Sequence, residues 1–385
     1  MPNIEILTGA TTDGNLIATV IITIQYSIAI SGQCVPIKKK AEIQTESEYY
    51  DNITYMDKYR PSLLKRDIDI YPWRLKTDVV IQGTARTERP KRNLSINLIC
   101  EGKKARFNRE IIISGDRRIE QGRTGLRLTE PEPFIEMPIR YDKAYGGTDE
   151  LAEDKFADPE ELKFFEDMLD EEDNLESSEY SYPRNPAGKG YLIDPEGIIG
   201  LPWPNLEFPK ERLTLEKVAA PLERWGDRSY PACFDWFSHA WFPRVAFFGE
   251  FPETHDGLTP MREVKMGILE RDLPQKPLLK RPKHGFAQGA HPYMWRHRLQ
   301  GDERIRITHM SKDGRDFYVM LPPHRPKIFV RLFGGKEQMA PPVLDLVFIE
   351  TDENRVTLLW RGSVPMDREH LMPDWEKECE YRVVW

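Results

Sequence analysis

Two glycine- and proline-bearing stretches constrain this chain more than any other feature. They are Pro133-Phe134-Ile135-Glu136-Met137-Pro138-Ile139-Arg140-Tyr141-Asp142-Lys143-Ala144-Tyr145-Gly146-Gly147 and Arg184-Asn185-Pro186-Ala187-Gly188-Lys189-Gly190-Tyr191. Proline fixes φ and pushes the residue before it toward extended backbone, while glycine admits the positive φ that other side chains resist. Both stretches fix backbone shape, and neither brings the paired side chains a reaction centre needs.

At 385 residues the chain is long enough for one large β-rich body or for two sub-domains. With 9 Trp, 15 Tyr and 17 Phe, aromatics supply much of the area a core can bury. Cys34, Cys100, Cys233 and Cys379 are scattered without Cys-x-x-Cys spacing, which argues against a zinc site or a disulfide framework and for a reducing compartment. The start of the chain lacks the basic region of a secretory signal. The run from Ile17 to Ile30 is interrupted by Thr19, Thr23, Gln25 and Ser27, too polar for a membrane span. A cytoplasmic location without membrane insertion is the expectation. The run reads as a strand, with Ile22, Ile24, Tyr26, Ile28 and Ile30 alternating with smaller or polar neighbours.

The net charge of −8 conceals an uneven distribution. Residues 149–179 hold fifteen Asp or Glu against Lys155 and Lys163, which leaves the rest of the chain slightly basic. No basic stripe with interleaved aromatics stands out, so nucleic acid is not an expected partner. The acidic insertion carries the clearest helix signal. Asp158 is placed to cap it, Pro159 suits its first position, and Leu162, Phe165, Met168 and Leu169 recur at helical spacing. A cap is worth about 1 kcal/mol, so the apolar stripe needs a surface, either its own body or a partner.

Elsewhere the pattern is hairpins: Leu94 to Cys100 with Ala105 to Ser114, Arg304 to Met310 with Phe317 to Leu321, and Leu344 to Glu350 with Arg355 to Trp360. The expected fold is α+β, predominantly antiparallel β in sandwich-like or barrel-like sheets, with the acidic helical segment inserted. Residues 1–147 and 183–385 are the expected β-rich bodies, with 148–182 as the insertion between them.

Taken in order, Asp67, Lys76 to Ala85, Ser114-Gly115-Asp116-Arg117, Phe134 to Gly147, Asn185 to Gly190, Leu201-Pro202-Trp203-Pro204-Asn205-Leu206-Glu207 and Trp225 to Trp236 resemble the bacterial family called domain of unknown function 2169. The resemblance covers roughly residues 15 to 360. It departs from the family pattern at Tyr145, where the family has phenylalanine, and at Ala232-Cys233, where it has Gly-Thr. What the resemblance implies is a cytoplasmic adaptor or chaperone of type VI secretion. Such a protein binds a toxic effector and helps load it onto the spike, the valine-glycine-repeat trimer and its proline-alanine-alanine-arginine-repeat tip. It implies no catalytic residue and no cofactor.

Readings with chemistry in them compete with that one. Cys233 and His239, with Asp235 between them, invite a cysteine-dependent hydrolase, although six residues of strand would hold the pair about 20 Å apart. His284, His291 and His297 match no common zinc spacing, and Gly188-Lys189-Gly190 lacks the Ser or Thr of a phosphate loop. A carbohydrate-binding β-protein with exposed Trp and Tyr is a further alternative. The run from Phe234 to Gly249 is the densest apolar feature, and a core position is its expected fate. If it meets a partner, Trp236, Trp241, Phe242 and Arg244 are the anchors, joined by Phe165 and Met168 of the acidic helix.

Overall fold

The computed structural model describes residues 1–11, 15–50, 63–71, 73–149, 181–193, 195–220, 222, 228–244, 284–296, 298–367 and 375–385. The expected acidic helix, with Phe165 and Met168, lies outside the described residues. With 47% strand against 7% helix, the chain is mostly β rather than a balanced α+β fold. Among the described residues its several sheets are mostly antiparallel and none closes into a barrel.

The largest sheet has seven strands. Strand β1 (Asn3–Ala10) lies at its edge against β2 (Leu16–Ile28), followed by Arg355–Pro365, Val343–Glu350, Thr77–Gln82 and Trp295–Arg296, while β3 (Cys34–Pro36) pairs with the far end of β2. Only the pair between Val343–Glu350 and Thr77–Gln82 runs parallel. Chain ends and middle therefore meet here, so the expected bodies 1–147 and 183–385 share this sheet. β2 forms because its sequence is dominated by β-branched residues that fit a pleated surface. The expected alternation gives way to burial on both sides from Ile17 to Ile24. The reason is that the sheet is covered on both faces. Its core cluster takes in Ile96, Leu98, Ile111, Ile305 and Val319 from a five-stranded antiparallel sheet. A three-stranded sheet packs on Gly362, where Ile328 Cδ1 and Ala340 Cβ would stand 2.8 and 2.9 Å from an added Cβ.

All three expected hairpins are present, as Asn93–Glu101 with Arg106–Ser114, Arg304–Ile307 with Phe317–Met320, and Val343–Glu350 with Arg355–Pro365. A second, smaller core gathers Ile119, Tyr145, Tyr182, Tyr191, Trp203 and Leu213 beside the two glycine–proline stretches. Among the described residues, no helix is long and apolar enough to cross a membrane.

Candidate functional site

The two glycine–proline stretches lock into each other. Tyr145–Gly146 and Lys189–Gly190 form a short parallel pair. The Asn185 side-chain amide nitrogen donates to the carbonyls of Tyr141 and Tyr145 at 2.9 and 3.0 Å, and the Asn185 backbone carbonyl accepts from Gly147 N at 2.9 Å. Gly146 holds φ +147°, and a Cβ there would lie 2.1 Å from the Asn185 carbonyl oxygen, so this crossing requires glycine. Asn205 ties in a third motif, with its amide donating to Ser114 O and to Asp116 Oδ1, both at 2.9 Å. Lys189 Nζ reaches the same Asp116 oxygen at 3.2 Å. The hydrogen bond from Asn205, followed by the Lys189 charge, lowers the Asp116 pKa. Lys189 is thus paired with a carboxylate of the chain itself, and the amides of Gly188 and Lys189 donate to Asn185 O and Ala144 O rather than standing open to a phosphate.

A second knot lies in the main core and is built from buried ions. Arg244 Nη2 pairs with Asp67 and also donates to the Tyr71 hydroxyl, while Nε and Nη1 donate to the carbonyls of Phe286 and Phe237, each at 2.7 Å. Asp78 accepts from Arg74 at 2.6 Å, from Gln288 at 2.7 Å and from Gly289 N at 2.8 Å. The Gln288 carbonyl oxygen in turn accepts from the amides of Leu75 and Lys76. Asp345 pairs with Arg361 and Arg298. The register between the last two long strands shifts between Leu344 and Leu346, so Asp345 is the extra residue of a bulge, which re-aims its carboxylate toward those cations. Burial, offset by Asp345, holds the Arg361 pKa down to about 10, and it remains a cation at neutral pH.

The described part of the aromatic run, up to Arg244, is largely buried. Trp236, Trp241 and Arg244 are buried, with Trp241 edge-on to Tyr141 and Phe237, and Phe242 is half-buried against the smaller core. These candidate anchors therefore serve the chain's own packing in this conformation. Arg66 stands 4.9 Å over both Trp236 and Phe348.

The pair that suggested a hydrolase packs against different neighbours. Cys233 Sγ is buried, donates to Ile139 O at 3.3 Å, and burial pushes its thiol pKa well above the ordinary value. His239 packs instead on Phe286, and burial followed by the Arg244 charge lowers its pKa. Burial, followed by the neighbouring Asp235 charge, works against a thiolate at Cys233. Asp235 accepts from the Tyr50 hydroxyl at 2.8 Å and from Trp236 N at 2.7 Å, and burial raises its pKa to about 7. His291 sits among Phe208, Tyr230, Phe237 and Tyr293, accepts from Tyr293 N at 3.0 Å, and is held near pKa 3 by burial. It is a neutral packing residue. The His284 side chain and His297 lie outside the described residues, and the described residues contain no group of three potential metal ligands.

Sequence reasoning passed over Arg74, Gln288, Asp345 and Arg361. The visible signal was a charge inside a strand otherwise apolar on both faces, as in Val343-Leu344-Asp345-Leu346-Val347 and Leu359-Trp360-Arg361.

Fold and site together define a mostly β protein whose motif residues brace its own backbone. The chain belongs to the family of uncharacterized proteins conserved in bacteria (DUF2169), whose model matches residues 13–361. No curated protein and no solved structure gives a significant match.

Proposed function

We propose that this chain is a non-enzymatic adaptor and chaperone that binds a type VI secretion effector and helps load it onto the spike and tip proteins. The reading starts from the resemblance of its ordered motifs to that family. The observation that carries it here is where the polar motif residues are spent. Asp67, Asp78, Asp116, Asn185 and Asn205 each bond to the chain's own backbone or cations, which builds a rigid scaffold. Such a scaffold suits holding another polypeptide.

Binding is stoichiometric in this account. The chain covers an exposed apolar or strand-edge segment of the effector, keeps it soluble, and gives it up when the spike competes with higher affinity. No nucleotide is required. An interface of the ordinary size, about 1,600 Å², is sufficient. Co-expression with a type VI effector from the same organism tests the reading. Effector solubility and recovery with the spike should rise together, and no change in either would refute it.

A further inference from the structure

The seven-stranded sheet ends in an edge whose flanks select a partner. β1 runs in unbroken register with β2 from Asn3 opposite Thr23 to Ala10 opposite Leu16. Among the described residues no strand pairs with its other side. Edges of this length are ordinarily blunted by lysine, proline or a bulge. β1 has none of these, and Glu5 is its one charged residue.

Charge is concentrated at one end of that edge. After β3 the chain returns past the start of β1, with Ile37 N donating to Gln25 O at 3.0 Å and Ala41 N donating to Met1 O at 2.9 Å. Lys38, Lys39 and Lys40, all exposed, lie between those two anchors. Three exposed lysines therefore follow one another in the segment anchored at the Asn3 end of β1. A strand added antiparallel to β1 leaves the edge at that end with its C-terminal side.

We propose that the outer edge of β1 accepts an extended segment of a partner protein, antiparallel, with carboxylates directly C-terminal to the paired stretch. Backbone hydrogen bonds supply the pairing and the lysines supply direction and register. The proposal rests on the protein-binding reading above and names the chemistry of the bound segment.

The test uses the full chain and fluorescein-labelled peptides of alternating threonine and valine. One ends in three aspartates, one begins with them, and one ends in them but is N-methylated on alternate amides. The first should bind at least about tenfold more tightly than the second, and the methylated peptide, with the same charge, should not bind. The exposed-site variant Lys38→Glu/Lys39→Glu/Lys40→Glu should keep its melting temperature and lose the preference. Equal binding of the methylated peptide, or indifference to aspartate position, overturns the proposal. So does a dimer in sedimentation velocity that competes with the peptide, because the edge then belongs to a second copy. Effector capture separates the two levels. Equal capture by wild type and the lysine variant, with the peptides silent, removes the edge assignment and leaves the adaptor reading standing. No capture by wild type removes the adaptor reading, and the peptides then judge the edge alone.

Discussion

Gly146 and Asn185 are fitted to each other across the two glycine–proline stretches, with the Asn185 carbonyl oxygen 2.1 Å from the place a Gly146 Cβ would take. Gly146→Ala combines a strained positive φ with a collision against backbone, which cannot rotate away. The variant should lose about 2–4 kcal/mol, read as a lowered urea midpoint at unchanged slope. Gly200→Ala is the comparison: its φ is +89° but nothing lies within 4 Å of the added methyl, so it should lose clearly less.

The buried ion pairs should respond steeply to removal of one partner. Asp345→Ala strands the buried Arg361 and weakens Arg298, so it should cost about 3–5 kcal/mol in urea unfolding. Truncating the exposed Arg315, which pairs with Asp313 on the surface, should leave the unfolding midpoint unchanged.

Asp235 and His291 should give opposite pH slopes. The folded-state pKa of Asp235 is raised to about 7 by burial, so folding takes up a proton there. Its contribution is full below the unfolded value near 4 and is lost as pH rises through about 7. The His291 pKa is lowered to about 3, so its contribution is full above about 6.5 and is lost as pH falls toward 3. The two partly cancel between about pH 4 and 6.5. Asp235→Asn should therefore make stability fall more steeply on acidification, and His291→Phe should make it fall more steeply on alkalinisation, both measured by urea melts across pH 4 to 8.

Thiol chemistry should be slow in the folded protein. Cys100 and Cys233 are buried, and burial pushes the half-buried Cys34 up to about 12. Ellman's reagent should react fully with all four cysteines only after denaturation. Rapid native labelling that Cys233→Ala abolishes would revive the hydrolase reading.

Much of the framework was legible because local signals and tertiary placement agree. Three hairpins followed from turn residues between alternating runs, and the glycine–proline stretches marked tight crossings. Their interlock was not legible, since nothing in the sequence says that Asn185 supplies both the donors to Tyr141 and Tyr145 and the wall against Gly146. The ion knot was hidden for the same reason: Asp67, Arg244 and Gln288 are far apart in the chain, and only the folded sheet brings them together. The aromatic run was expected in the core, and Trp236 and Trp241 are buried there; a partner surface stayed open as the lesser reading because Trp and Arg anchor interfaces as readily as cores. Its expected companions Phe165 and Met168 lie outside the described residues.

The central claim is that this chain holds another protein through a rigid β scaffold without turning anything over. Pull-down of a co-expressed candidate type VI effector by the purified chain, quantified with and without added spike protein, tests it most directly. A soluble stoichiometric complex that spike protein dissociates is the result this account requires. An effector that stays insoluble and unbound at every ratio would contradict it.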